Sequence, residues 1–171
     1  MNLADYIRDI PDFPKPGVLF RDITPLLAHP AAFRQAIAKL AEPFGGQKIE
    51  VVAAAEARGF IFAAPLALQL GAALVPIRKL GKLPYKTLSY SYALEYGTDT
   101  LQIHADAIPP GAHVLVVDDL LATGGTVEAC CRLVEKAGGN VVGCAFVIEL
   151  TGFGGAKKIS RYSTVSLIKY D

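Results

Sequence analysis

The sequence predicts an α/β fold: a central parallel sheet flanked by helices, with an N-terminal hood and a β-ribbon lid loop. Three observations carry this reading. Short, largely apolar runs at 50–55, 73–78, 113–117 and 141–148 have the length of strands buried on both faces. Longer runs with helical spacing lie between several of them. The resulting alternation of strand and helix is the pattern of parallel strands joined by crossover helices.

Taken in order, Pro11, Pro14, Pro16-Gly17 and Pro25 crowd the first thirty residues with turn signals. A short leading helix and then irregular structure wrapping over the body are expected there. Pro30 opens a helix to about Ala41, with Phe33, Ile37 and Leu40 on one face. After Gly45-Gly46 come a strand, 50–55, and a helix, 59–70, stopped by Gly71. The strand 73–78 leads into a loop, 79–86, where Gly81 and Pro84 stand among Lys79, Lys82 and Lys86. Residues 87–94 alternate and are rich in Tyr, Ser and Thr, which predicts an exposed strand with 100–104 as its hairpin partner. Pro109-Pro110-Gly111 is a turn before the strand 113–117. The helix 126–137 puts Val127, Cys131 and Val134 on one face and Glu128, Arg132 and Glu135 toward solvent. Gly138-Gly139 ends it before the strand 141–148. The segment after Thr151 is assigned no site.

The chain has 171 residues, a length that fits one domain over 1–171, with 1–30 as the hood segment and 79–104 as the lid ribbon. Hydrophobic residues make up 52% and charged residues 19%, which excludes a disordered chain. A net charge of +1 offers no general attraction to nucleic acid. The apolar stretch 60–77 is interrupted by Pro65, Gln69, Gly71 and Pro76, so it reads as a buried helix and strand rather than a membrane span. Asp5, Arg8 and Asp9 interrupt any secretory apolar run. Cys130, Cys131 and Cys144 lack metal-type spacing and read as free thiols of a cytoplasmic protein.

The strongest chemical signal is the run 114–126, VLVVDDLLATGGT. A buried strand ends in Asp118 and Asp119, and a loop of small residues then opens a helix. Backbone N–H groups of Thr123, Gly124, Gly125 and Thr126 suit a phosphate, and the helix N-terminus adds positive potential. The two acids suit two neighbouring sugar hydroxyls. No Gly-Lys-Ser/Thr follows, so this is not a Walker loop. Arg58, between a strand and a helix, suits a strongly anionic group with its guanidinium fork. Arg78, Lys79 and Lys82 form a local basic cluster, either a solvated loop or a lid over anions.

The run 114–126 resembles the motif of type I phosphoribosyltransferases that binds phosphoribosyl pyrophosphate (PRPP). The hood run 13–25, FPKPGVLFRDITP, and the runs AEARGF (55–60), RKLGKLP (78–84) and LEYG (94–97) resemble, in order, segments of the adenine-specific members. The resemblance spans roughly 13–150. It implies a purine salvage enzyme that transfers the phosphoribosyl group of PRPP to adenine, giving AMP and pyrophosphate. It also implies Mg2+ held mainly by substrate, with no metal site of the protein's own, and a homodimer without nucleic-acid or membrane partners.

By the same resemblance Asp118 and Asp119 hold the ribose hydroxyls, and Ala122, Thr123, Gly124, Gly125 and Thr126 hold the 5′-phosphate. Glu56, Ala57, Arg58, Arg78, Lys79 and Lys82 face pyrophosphate, with a cis peptide at Glu56-Ala57. Leu19, Phe20, Arg21 and Leu150 form the adenine slot. Leu19 and Phe20 are otherwise core residues, and Arg21-Asp22 is otherwise a structural ion pair. Glu95 is catalytic, either relaying the proton from the imidazole ring of adenine or stabilising positive charge at the anomeric carbon.

Overall fold

A computed structural model of the chain describes residues 1–94 and 96–171. Its N-terminal segment is more ordered than its prolines and glycines suggest. A short 3-10 turn, Leu3–Tyr6, is followed by strands β1 (Arg8–Ile10) and β2 (Phe20–Asp22) and helix α1 (Thr24–Ala28). β1 and β2 pair antiparallel as a separate two-stranded sheet, with Arg8 opposite Asp22 and Asp9 opposite Arg21. Those two cross-strand pairs are ion pairs. Arg21 and Asp22 therefore do not pair with each other. Adjacent residues of a strand face opposite sides, and each finds its partner across the ladder.

Helix α2 (Pro30–Ala41) opens on Pro30, and the His29 ring nitrogen Nδ1 accepts from the Ala32 N–H at 3.2 Å. That bond satisfies one of the orphan donors of the first turn. Strand β3 (Val51–Ala55) and helix α3 (Gly59–Leu70) follow. Gly71 ends α3 at φ 65°, where its N–H caps the carbonyls of Ala67 and Leu68. A side chain there would meet the left-handed penalty that glycine avoids.

The remaining elements are β4 (Ala73–Lys79), β5 (Thr87–Ala93), β6 (Thr98–His104), β7 (His113–Leu121), α4 (Gly125–Lys136), β8 (Asn140–Leu150), α5 (Gly155–Lys158) and β9 (Thr164–Tyr170). The main sheet has seven strands in the order β5-β6-β4-β3-β7-β8-β9. The pairs β3/β4, β3/β7, β7/β8 and β8/β9 are parallel, and β4/β6 and β5/β6 are antiparallel. The predicted ribbon thus extends one edge of the parallel sheet. β9, which the sequence reading left unassigned, forms the other edge.

Strand parity divides the core. Val52 and Ala54 of β3 join Phe62 and Leu66 of α3 and Ile37 and Leu40 of α2 on one face. Val51, Ala53 and Ala55 join Cys131 and Val134 of α4 and Phe146 of β8 on the other. The chain leaves β3 sideways for β4 and leaves β7 in the opposite direction for β8. Right-handed crossovers then put α3 and α4 on opposite faces. The reversal creates a switch point between β3 and β7, and ligands of open α/β sheets sit at the carboxyl ends of such strands.

One strand end and one helix face differ most from expectation. β7 continues through Asp118 and Asp119 to Leu121, because β8 keeps pairing it as far as Leu121–Glu149. The α4 face carrying Glu128, Arg132 and Glu135 is half-buried rather than open to solvent. The β8-to-β9 crossover covers it, with Glu135 accepting from the Tyr162 hydroxyl at 2.8 Å and pairing with Arg161 at 2.9 Å. All three cysteines are free and buried. Among the described residues no helix is long and apolar enough to cross a membrane.

Phe146 is fully buried between the sheet and α4. Truncation to alanine is expected to cost about 3–5 kcal/mol, read as a lower urea midpoint with the circular-dichroism spectrum retained before the transition.

Candidate active site

The site is built where β3 and β7 end. Ala54 and Val117 are in register, so the residues after them emerge side by side. A cleft of about 370 Å³ opens there. It is lined by Glu56, Ala57 and Arg58 from the β3 end, by Asp118 and Asp119 of β7, and by the loop Ala122–Thr126. The ribbon closes one side with Tyr92, Leu94 and Asp99, and Lys79 completes the wall. Segments far apart in sequence therefore converge on one cavity.

Arg58 Nε lies 2.9 Å from Asp119 Oδ2, and the Asp119 side chain is almost wholly buried. Asp118 has no such cation in contact; its Oδ1 accepts the Asp119 N–H at 2.8 Å. Burial, and next the charge of Asp119, hold the Asp118 carboxyl well above the ordinary carboxylate range. Room for that carboxyl depends on Gly59, since a Cβ there would sit 3.0 Å from Asp118 Oδ1 and 3.2 Å from the Val117 carbonyl.

Arg78 and Lys79 are also matched with acids. Glu56 accepts from the Lys79 N–H at 2.8 Å and from Arg78 Nε at 3.1 Å. The Lys79 backbone bond, and then Arg78, keep the Glu56 carboxyl below its usual value. Lys79 Nζ pairs with Asp99 at 3.6 Å. Lys82 donates its N–H to the Lys79 carbonyl at 3.2 Å in the turn of this loop and does not line the cleft. The peptide Glu56-Ala57 is cis, as is Phe13-Pro14.

The small-residue loop ends in Gly124 at φ 83°, and α4 starts at Gly125. The first turn of α4 lines the cleft, and the N–H groups of a first turn have no intrahelical partners, the arrangement that suits an anion. Tyr92 reaches over from β5, its hydroxyl 3.3 Å from Thr126 Oγ1. Burial raises the Tyr92 pKa, and either hydroxyl of the pair can donate.

A second hollow of about 330 Å³ adjoins this cleft and shares Arg58 with it. Its walls are mostly apolar: Ile10, Phe13, Phe20, Ile23 and Thr24, with Asp22. Phe13 and Phe20 meet edge to face at 5.1 Å. The Arg58 guanidinium stands 5.7 Å from the Phe20 ring centroid.

Of the residues expected at a base slot, Phe20 lines the hollow and Leu19, Arg21 and Leu150 do not. Leu19 is exposed. Arg21 stacks its guanidinium 3.8 Å from the Tyr170 ring centroid, which ties the hood to β9. Leu150 packs with the core on the α2 and α3 face. Period-two alternation explains the split, since Phe20 and Arg21 are neighbours in β2. Tyr92 and Asp99 were not anticipated. The alternating tyrosines of β5 were the available signal, but nothing local shows which face meets α4. Glu95 lies outside the described residues.

The phosphoribosyl transferase domain matches residues 22–168. The adenine phosphoribosyltransferase of Maridesulfovibrio salexigens is 60% identical, covering 99% of both chains. That of Rhodopirellula baltica is 61% identical over 99% of this chain and 82% of its own. The chain belongs to the adenine phosphoribosyltransferase family. Among solved structures of that family, the enzyme of Thermoanaerobacter pseudethanolicus superposes with a TM-score of 0.95 at 54% identity, covering 98% of each chain. That of Saccharomyces cerevisiae, complexed with an imino-altritol bisphosphate and adenine, gives 0.91 at 38% identity, covering 96% of each. The phosphoribosyltransferase fold of the family is therefore the fold of this chain, including its mostly parallel sheet.

The raised Asp118 carboxyl has a stability consequence. A folded pKa above the unfolded value, about 3.9, means that stability is present in acid and lost as pH rises through the folded pKa. Asp118→Asn keeps the acceptor for the Asp119 N–H and removes the buried charge. Its thermal midpoint at neutral pH is expected to exceed that of the parent, with the gain disappearing in acid. A lower midpoint at neutral pH would contradict the burial argument.

Proposed function

We propose that this chain transfers the phosphoribosyl group of PRPP to adenine, giving AMP and pyrophosphate, in purine salvage. The observation that carries the reading is the junction at Arg58, where a phosphate-type cleft meets an apolar hollow large enough for a base. A donor and an acceptor bound on either side of that residue meet at a single reacting carbon.

In this reading the loop Ala122–Thr126 holds the 5′-phosphate, and Asp118 and Asp119 hold the ribose hydroxyls. Arg58 and Lys79, with the Glu56-Ala57 peptide, face pyrophosphate, and Arg78 and Lys82 approach it from outside the cleft wall. Phe20 stacks on adenine, and Leu19 and Arg21 contribute main-chain groups to its edge. An imidazole-ring nitrogen of adenine attacks the anomeric carbon as the bond to the pyrophosphate oxygen breaks, with inversion. The nitrogen's proton leaves, and Glu95 either relays it or stabilises positive charge on the sugar. Positioning and preorganised charge supply much of the rate enhancement.

The lining of the cleft supports a role for Mg2+. Among the described residues lining it, Glu56, Asp99, Asp118 and Asp119 stand against Arg58 and Lys79. So acidic a cleft needs added positive charge to accept an anionic substrate. Its donors are oxygens, which suit a hard cation. Among the described residues no three His, Cys, Asp or Glu side chains group into a metal cage. When bound, Mg2+ would be held mainly by the substrate, with Asp118 and Asp119 the nearest acids of the cleft. Its contribution when bound is to neutralise charge on the leaving group.

The deciding experiment supplies PRPP, Mg2+ and one of adenine, hypoxanthine, guanine or xanthine. AMP and pyrophosphate from adenine, with little product from the oxopurines, is the expected result. Turnover of an oxopurine instead would discard the hood as an adenine slot.

The chain works as a cytoplasmic homodimer in this reading, consistent with its three free thiols. Support for self-association comes from Leu68, which is 85% exposed on α3, with Ile61 and Leu74 also uncovered nearby in sequence. Leu68→Glu is expected to shift sedimentation from dimer to monomer; an unchanged dimer would move the interface elsewhere.

A further inference from the structure

The segment after Thr151 is assigned no site by the sequence, yet part of it is pressed against the phosphate loop. Gly155 is buried, the first residue of α5. A Cβ added to it would lie 2.3 Å from the Ala122 carbonyl oxygen, 2.8 Å from Leu121 Cδ1 and 3.1 Å from the Ala122 carbonyl carbon. The contact is reciprocal: a Cβ on Gly124 would lie 3.0 Å from the Gly155 carbonyl oxygen and 3.1 Å from Gly155 Cα. Two stretches of backbone therefore touch with no side chain between them. Leu121 Cδ1 could move aside, but the nearest atom is the main-chain Ala122 carbonyl oxygen, so no rotamer change can relieve an added methyl group.

We infer that Gly155 is a positioning residue for PRPP: its bare backbone is the back wall that sets the curvature of the loop Ala122–Thr126 and aims its N–H groups. The inference rests on the reading that this loop holds the 5′-phosphate. α5 is itself anchored to the first turn of α4 by Lys158 Nζ, 3.4 Å from Glu128 Oε2. Its position is also carried by Ile159, fully buried against the α4 face of the core. The wall is thus held by the core and not by the ligand. Gly152 offers a comparison, since it has open space and no positive φ.

The test measures binding of AMP and of adenosine, which differ only by the 5′-phosphate, to the parent, Gly155→Ala and Gly152→Ala. The parent should prefer AMP; if it does not, the phosphate reading of the loop itself fails. Given that preference, Gly155→Ala is expected to reduce it about tenfold or more, the scale of effect that small misplacements of binding groups produce. Adenosine affinity should be retained, and the KM for PRPP should rise more than kcat falls. A Gly155→Ala protein that keeps the AMP preference overturns the inference, as does an equal loss in Gly152→Ala. Should Gly155→Ala fail to fold, hydrogen exchange on the parent decides. Exchange at 154–159 is expected to be slow already without ligand, with ribose 5-phosphate adding protection at 122–126; fast exchange at 154–159 that slows only when ribose 5-phosphate binds overturns the inference.

Discussion

Two carboxylates sit side by side at the carboxyl-terminal end of a buried strand, and only one of them is paired with a cation. Asp119 meets Arg58 at 2.9 Å, whereas Asp118 is held by burial and by its neighbour's N–H. Holding this pair at the cleft floor requires that β3 and β7 be adjacent, parallel and in register, so that Arg58 emerges beside Asp119. It also requires glycine at 59, where any Cβ would crowd the Asp118 carboxyl. The electrostatic cost falls on the fold as a whole and is offset by apolar packing on both faces of the sheet.

The cations in and beside the cleft are similarly engaged. Arg58, Arg78 and Lys79 are paired with Asp119, Glu56 and Asp99. In the proposed reaction, pyrophosphate competes with these internal acids and does not meet free charges. Partner exchange of this kind holds side chains near their working positions before substrate arrives, which lowers the ordering cost of binding. It also explains how strong anion binders coexist in a cleft with more acids than bases. The lid loop is under comparable control, since Gln102 accepts from the Gly81 N–H at 3.0 Å and donates to Thr87 and Ser89 of β5.

The hood shows where reading from sequence loses resolution. Its composition pointed to irregular structure, because prolines and glycines at 14, 16 and 17 argue against a long element. Two three-residue strands survive there because each is locked by paired charges, Arg8 with Asp22 and Arg21 with Asp9. Pairs so short and so far apart carry no periodic signal. Once β2 exists, parity sends Phe20 into the hollow and Arg21 onto Tyr170. The motif that identified the neighbourhood therefore left the direction of each side chain open.

From its residues alone, the chain was legible as alternating buried strands and amphipathic helices, with two acids and a glycine loop at one strand end. Those features are local: burial follows from apolar runs, helix ends from Gly71 and Pro30, and the phosphate-type loop from contiguous small residues. The junction at Arg58, the face of β5 that brings Tyr92 over Thr126, and the contact between Gly124 and Gly155 came from chain segments meeting across the sheet. They depend on strand order and crossover handedness. These are set by the packing of the whole chain, so no window of sequence contains them.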